Sequence, residues 1–153
     1  MDLSSTLEIL LTWAVYLSGY PAPVNPPEVQ FQPHSFFVEN VCGNKECRAV
    51  GWYNEEGIVY IDERYRHSDS EFARSLVVHE FVHYLQHASG LYDSHSCEDS
   101  MARERQAYYI QNEYILKGQA SFNFVRPGPT ACSYYNAADE PEVAGSDQVS
   151  SSD

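Results

Sequence analysis

Basic residues are scarce in this chain: 9 Lys and Arg stand against 22 Asp and Glu in 153 residues, for a formal net charge of -13. So few cations cannot neutralise the phosphates of a nucleic acid or a layer of anionic headgroups, so neither partner is expected. Long apolar runs are also missing. The most hydrophobic stretch, residues 7–20, is interrupted by Glu8, Thr12 and Ser18 and has no basic lead, so neither a membrane span nor a signal peptide is expected. No internal repeat is present.

Apolar residues make up 43% of the chain, enough to exclude wholesale disorder and to fill one mixed core at this length. A single domain is expected over residues 1–136. Residues 137–153 contain Asp139, Glu140, Glu142, Asp147 and Asp153, several serines and no Lys or Arg, and are expected to form a disordered tail.

Cysteine is limited to Cys42, Cys47, Cys97 and Cys132, an even number that allows three pairings. The short spacing favours Cys42 with Cys47, which leaves Cys97 for Cys132. Two such disulfides favour a periplasmic or secreted location, whereas free thiols favour the cytoplasm. The wide gaps match no short paired zinc cluster.

An α+β fold is expected. Apolar residues at helical spacing over 3–20 predict an N-terminal helix that ends at Gly19, before a stiff link with four prolines in residues 21–27. Runs rich in β-branched and aromatic residues at 29–31, 35–41, 48–53 and 58–62 suggest a small, mainly antiparallel sheet paired in sequence order. Its hairpin turns are expected at 42–47 and 54–57. A second helix is expected between a Ser68 and Glu71 capping box and Gly90, apolar on most sides and therefore central. A third helix is expected over 97–117, with Ser96 and Asp99 at its start.

The chemistry lies in the second helix, in His79-Glu80-Phe81-Val82-His83. Spacing of i, i+4 puts both imidazoles on one helical face about 6 Å apart, suited to a single tetrahedral zinc. Two histidines inside an apolar helix are costly without such a partner. A catalytic zinc has three protein ligands and an open position for water. A third histidine at the metzincin spacing is excluded, because Ser89 stands there and Gln86 replaces the required glycine. His87 lies a further turn along, and three imidazoles in that row span about 12 Å, too far to share one ion. That leaves Glu98, Glu104 or Glu113 on the third helix. Glu104 interrupts the stripe Met101, Tyr108, Gln111 and Ile115 and so points inward, where a metal would compensate its carboxylate. Glu98 suits a charge at the helix start and Glu113 a surface pair with Lys117.

The motif His79-Glu80-x-x-His83, followed 21 residues after His83 by Glu104-Arg-Gln-Ala107, resembles the gluzincin metallopeptidases in their minimal single-domain form. The Glu-x-x-Ala element resembles the Ste24-like branch. The resemblance covers residues 58–117 and implies a zincin-like fold with an active-site helix and a glutamate helix. It implies one catalytic zinc held by His79, His83 and Glu104, and peptide-bond hydrolysis by a zinc-activated water with Glu80 as general base. Strand 58–62 would be the edge that pairs with a peptide or protein substrate. The chain departs from that branch at Tyr108, where an Asp that orients a zinc histidine is common, so the orienting group must come from elsewhere. Tyr108, His87, His95, Tyr134 and Tyr135 are candidate oxyanion donors. A Cys97 to Cys132 bridge would tether residues 121–135 near the cleft. The competing reading is a catalytically silent zincin scaffold that serves as a protein-binding module.

Overall fold

A computed structural model of the protein describes residues 3–118 and Cys132. The expected tail 137–153, the segment 121–131 and 133–135, and the candidates Tyr134 and Tyr135 lie outside the described residues. The described chain is α+β: α1 (Leu3–Ser18), β1 (Glu28–Gln32), α2 (His34–Asn40), β2 (Gly51–Tyr53), β3 (Ile58–Asp62), a 3-10 turn (Glu63–Tyr65), α3 (Glu71–Ser89) and α4 (Cys97–Gly118). Among the described residues no helix is long and apolar enough to cross a membrane.

The three strands form one mixed sheet in the order β1-β3-β2. β2 and β3 make the expected hairpin, with Tyr53 opposite Val59. Its turn is fixed by the Asn54 Oδ1, which accepts from the amides of Glu56 at 2.9 Å and Ile58 at 3.2 Å, and by Gly57 at φ +85°. β1, however, pairs with β3 in parallel, Val29 opposite Val59. The expectation of a mainly antiparallel sheet paired in sequence order is corrected accordingly. The correction reaches the substrate edge: β3 is hydrogen-bonded on both sides and cannot take another strand, so the edges are β1 and β2.

The reason is that residues 35–41 form a helix, not a strand. Phe37 and Val41, one helical turn apart, are both buried, while Glu39 between them is exposed. A strand would have put Glu39 on the same face as both. Pro33 starts α2 with an extended backbone and no amide to satisfy. This helix begins the crossover that a parallel strand pair requires. Residues 42–47, expected as a hairpin turn, are instead a loop after α2, closed by the Cys42–Cys47 disulfide. The second bridge, Cys97–Cys132, is also formed. Two disulfides suit an oxidising compartment.

Alternation along β3 divides the core. Val59 and Ile61 face α1 and α3, whereas Tyr60 stacks with Trp52 and Phe36 beneath α2, at ring-centre distances of 5.5 and 4.6 Å. α3 is buried on most of its circumference, as its apolar pattern anticipates, and ends at Gly90 in a left-handed conformation (φ +72°). Its cap is Ser70, whose Oγ accepts from the Ala73 amide at 3.1 Å; Ser68 supports Ser70 rather than forming the expected box with Glu71. α4 starts as expected, with Ser96 Oγ accepting from the Asp99 amide at 3.1 Å. It returns antiparallel to α3, bringing Gly118 beside Glu71.

Asp62 ties the end of β3 to both neighbours. Buried at 2% exposure, it accepts from the Arg64 amide at 3.0 Å and guanidinium at 2.8 Å and lies 3.4 Å from His34 Nδ1. Burial alone would raise its pKa, but the bonds and charge of Arg64, with a smaller contribution from His34, bring it below the ordinary carboxylate value.

Phe37→Ala is expected to cost about 3–5 kcal/mol in urea unfolding and Glu39→Ala less than about 0.5, a contrast that a strand over 35–41 would not give. Asp62→Asn is expected to cost about 1–3 kcal/mol at pH 7. Because the folded pKa is depressed, that stabilisation is present above the unfolded value near 3.9 and is lost as pH falls through the folded value. Parent and variant stabilities should therefore converge in acid.

Candidate metal centre

Packing of α3 against α4 buries a row of polar side chains inside an apolar interface. His79 is fully buried, His83 is 6% exposed, and the Glu104 side chain reaches them from α4 at 19% exposure. The two Nε2 atoms are 3.1 Å apart, and the Glu104 carboxylate oxygens lie 3.4 Å from that of His79 and 3.1 Å from that of His83. These three residues form a group that could hold a metal ion, with ligand atoms within 4.8 Å of one another. Tetrahedral zinc at about 2.0–2.1 Å from each ligand separates its donors by roughly 3.3 Å, so the closest donor spacings already fit such an ion.

The other side of each imidazole is held by a glutamine. His79 Nδ1 lies 2.9 Å from Gln111 Oε1, and Gln111 Nε2 donates to Ser75 Oγ at 3.0 Å. Ser75 gives its own hydrogen to the Phe72 carbonyl at 2.7 Å. His83 Nδ1 lies 2.9 Å from Gln86 Oε1, and Gln86 Nε2 donates to the Arg103 carbonyl at 3.0 Å and to Gln106 Oε1 at 2.8 Å. Tyr20 donates to the same Gln106 oxygen at 2.5 Å. The Arg103 carbonyl can only accept, and Ser75 has already spent its hydrogen, so both amides present oxygen to the rings. Both Nδ1 atoms are then the donors. The lone pairs of the two Nε2 atoms converge with those of the Glu104 carboxylate, an arrangement that a cation stabilises and that suits a divalent ion with nitrogen and oxygen ligands.

Glu80, adjacent to His79, packs against the sheet rather than against α4. It is fully buried against β2, where a Cβ on Gly51 would lie 2.5 Å from Glu80 Oε1. Any larger residue at position 51 would require that carboxylate to shift. Further along the same side of α3, Tyr53 on β2 donates to His87 Nδ1 at 2.6 Å and packs against Tyr84. Burial pushes the Tyr53 hydroxyl up to about 12, so it remains a donor at neutral pH.

The other candidates fall outside the triad. Glu98 is exposed in the first turn of α4, and Glu113 is about two and a half turns beyond Glu104, on the other face of α4. His87 belongs to Tyr53, and His95 is exposed between α3 and α4. Tyr108 is buried with its ring edge-on to His79 at 4.6 Å. Sequence reasoning did not assign roles to Gln111, Gln86, Ser75 or Gly51. Gln111 was the detectable one, as a second polar residue in the inward stripe of α4. Comparison with protein-family models, with curated proteins and with solved structures finds no match to this chain.

The parent protein is expected to bind about one zinc per chain and Glu104→Ala to lose it, measured by elemental analysis after equilibration with zinc and gel filtration. Retention of a full equivalent by the variant would remove Glu104 from the ligand set, and a zinc-free parent would overturn the reading of the triad as a metal site.

Proposed function

We propose that the protein is a gluzincin-like zinc metallopeptidase. The observation that carries this reading is the triad of His79, His83 and Glu104, with donor separations of 3.1–3.4 Å, on the helix that also bears Glu80. His79, His83 and Glu104 would hold one zinc and leave a position open. The ion would supply a Lewis acid for a peptide carbonyl and bring the pKa of water to about 7.

Glu80 is the general base in this reading. It takes the proton that water loses as its oxygen bonds to the carbonyl carbon, and returns it to the amine as the C–N bond breaks. A substrate strand would pair along β2, the edge next to Glu80, in place of the edge expected from sequence. The disulfides agree with a periplasmic or secreted site of action. One observation favours the alternative, a zincin scaffold whose metal serves a protein-binding role: Glu80 is fully buried.

With a mixed peptide library, the zinc-loaded parent is expected to cleave peptide bonds, and Glu80→Gln to keep its zinc while hydrolysis falls about 10²- to 10⁴-fold. Undiminished cleavage by the variant would overturn the role of Glu80. A zinc-loaded parent that cleaves nothing would favour the binding module.

A further inference from the structure

Carboxylates commonly fix metal-binding histidines from behind, because a negative charge both orients the ring and raises its basicity. Here both rings are fixed by neutral amides, and each amide is itself turned by a separate anchor. An amide offers an oxygen and a nitrogen of nearly the same shape, so it selects a tautomer only when something else fixes which end faces the ring. Ser75 does this for Gln111, and the Arg103 carbonyl does it for Gln86. All three side chains, Ser75, Gln111 and Gln86, are fully buried, so water does not compete for these bonds.

We propose that Gln111 and Gln86 are positioning residues that preset both histidine Nε2 atoms for a divalent cation and set the affinity of the site without adding charge to it. The inference rests on reading the triad as a metal centre, but not on hydrolysis. Gln86 has a second task, because its bonds to Arg103 and Gln106 also hold α4, and hence Glu104, against α3. Gln111 bears on the ring of His79 and on α3 through Ser75, which makes it the cleaner residue to vary.

Zinc affinity is to be measured by chelator competition at pH 7 for the parent, Gln111→Leu and Gln111→Glu. Gln111→Leu keeps the volume but removes the acceptor and is expected to weaken binding about 10- to 100-fold. Gln111→Glu restores the acceptor and adds charge, and is expected to bind at least as tightly as the parent. A packing role alone predicts the reverse order, because a buried carboxylate disrupts an apolar interface more than leucine does. Equal affinities, or tighter binding by Gln111→Leu than by Gln111→Glu, would overturn the proposal. A parent that binds no zinc would instead overturn the metal-centre reading on which it rests.

A second measurement does not depend on the folding of any variant. Side-chain ¹⁵N spectra of the metal-free parent at pH 9 are expected to show His79 and His83 as single Nδ1–H tautomers. Nε2–H forms, or mixtures of the two, would show that the amides do not preset the rings and would overturn the proposal.

Discussion

The structure depends on burying ionisable and polar groups between α3 and α4 without leaving them unsatisfied. Two imidazoles, a carboxylate, two amides and a serine hydroxyl occupy an interface that is otherwise apolar. Each such group costs about 1–3 kcal/mol if its bond is missing, a large fraction of the stability of a domain this size. The antiparallel pairing of the helices resolves this residue by residue: His79 opposite Gln111, His83 opposite Glu104, Gln86 opposite Arg103 and Gln106. A one-residue slip of α4 would break all of these at once. The polar row thus fixes the register that leucines and isoleucines alone would leave loose.

The remaining elements support that helix pair. The sheet and α1 cover the other faces of α3 through Val59, Ile61, Leu10 and Ala14. The proline-rich link crosses α3 on the surface, where its Asn25 carbonyl accepts from Tyr84 at 2.5 Å. At its start Tyr20, its hydroxyl pKa raised by burial, donates to Gln106 and so reaches the bonds behind His83. The end of the first helix is therefore connected to His83 through a short chain of hydrogen bonds.

Local signals in the sequence specified much of this. His79 and His83 share a face because of their spacing, and Glu104 was recognisable as a charge within an apolar stripe. The terminators Gly19, Gly57 and Gly90 all adopt positive φ, the conformation for which glycine is suited. Non-local features were not legible. The run Ser35 to Val41 has strand-like composition, but packing of Phe37 and Val41 under the sheet makes it helical, and only the polar Glu39 hinted at that period. The parallel pairing of β1 with β3 followed from the same helix and could not be read without it. Gln86 and Gln111 are ordinary helix residues until the facing helix supplies their partners.

Glu80 and the two histidines share a five-residue motif but pack against different elements of the fold. Glu80 is confined by Gly51 on the sheet, whereas His79 and His83 are confined by glutamines, one on α4 and one on α3 itself. A change in the sheet therefore acts first on Glu80, and a change in the facing helix acts first on His79 and Glu104. Under the proposed reading, metal affinity and proton transfer therefore respond to different substitutions, because α3 is buried on most sides and meets the sheet on one face and α4 on another.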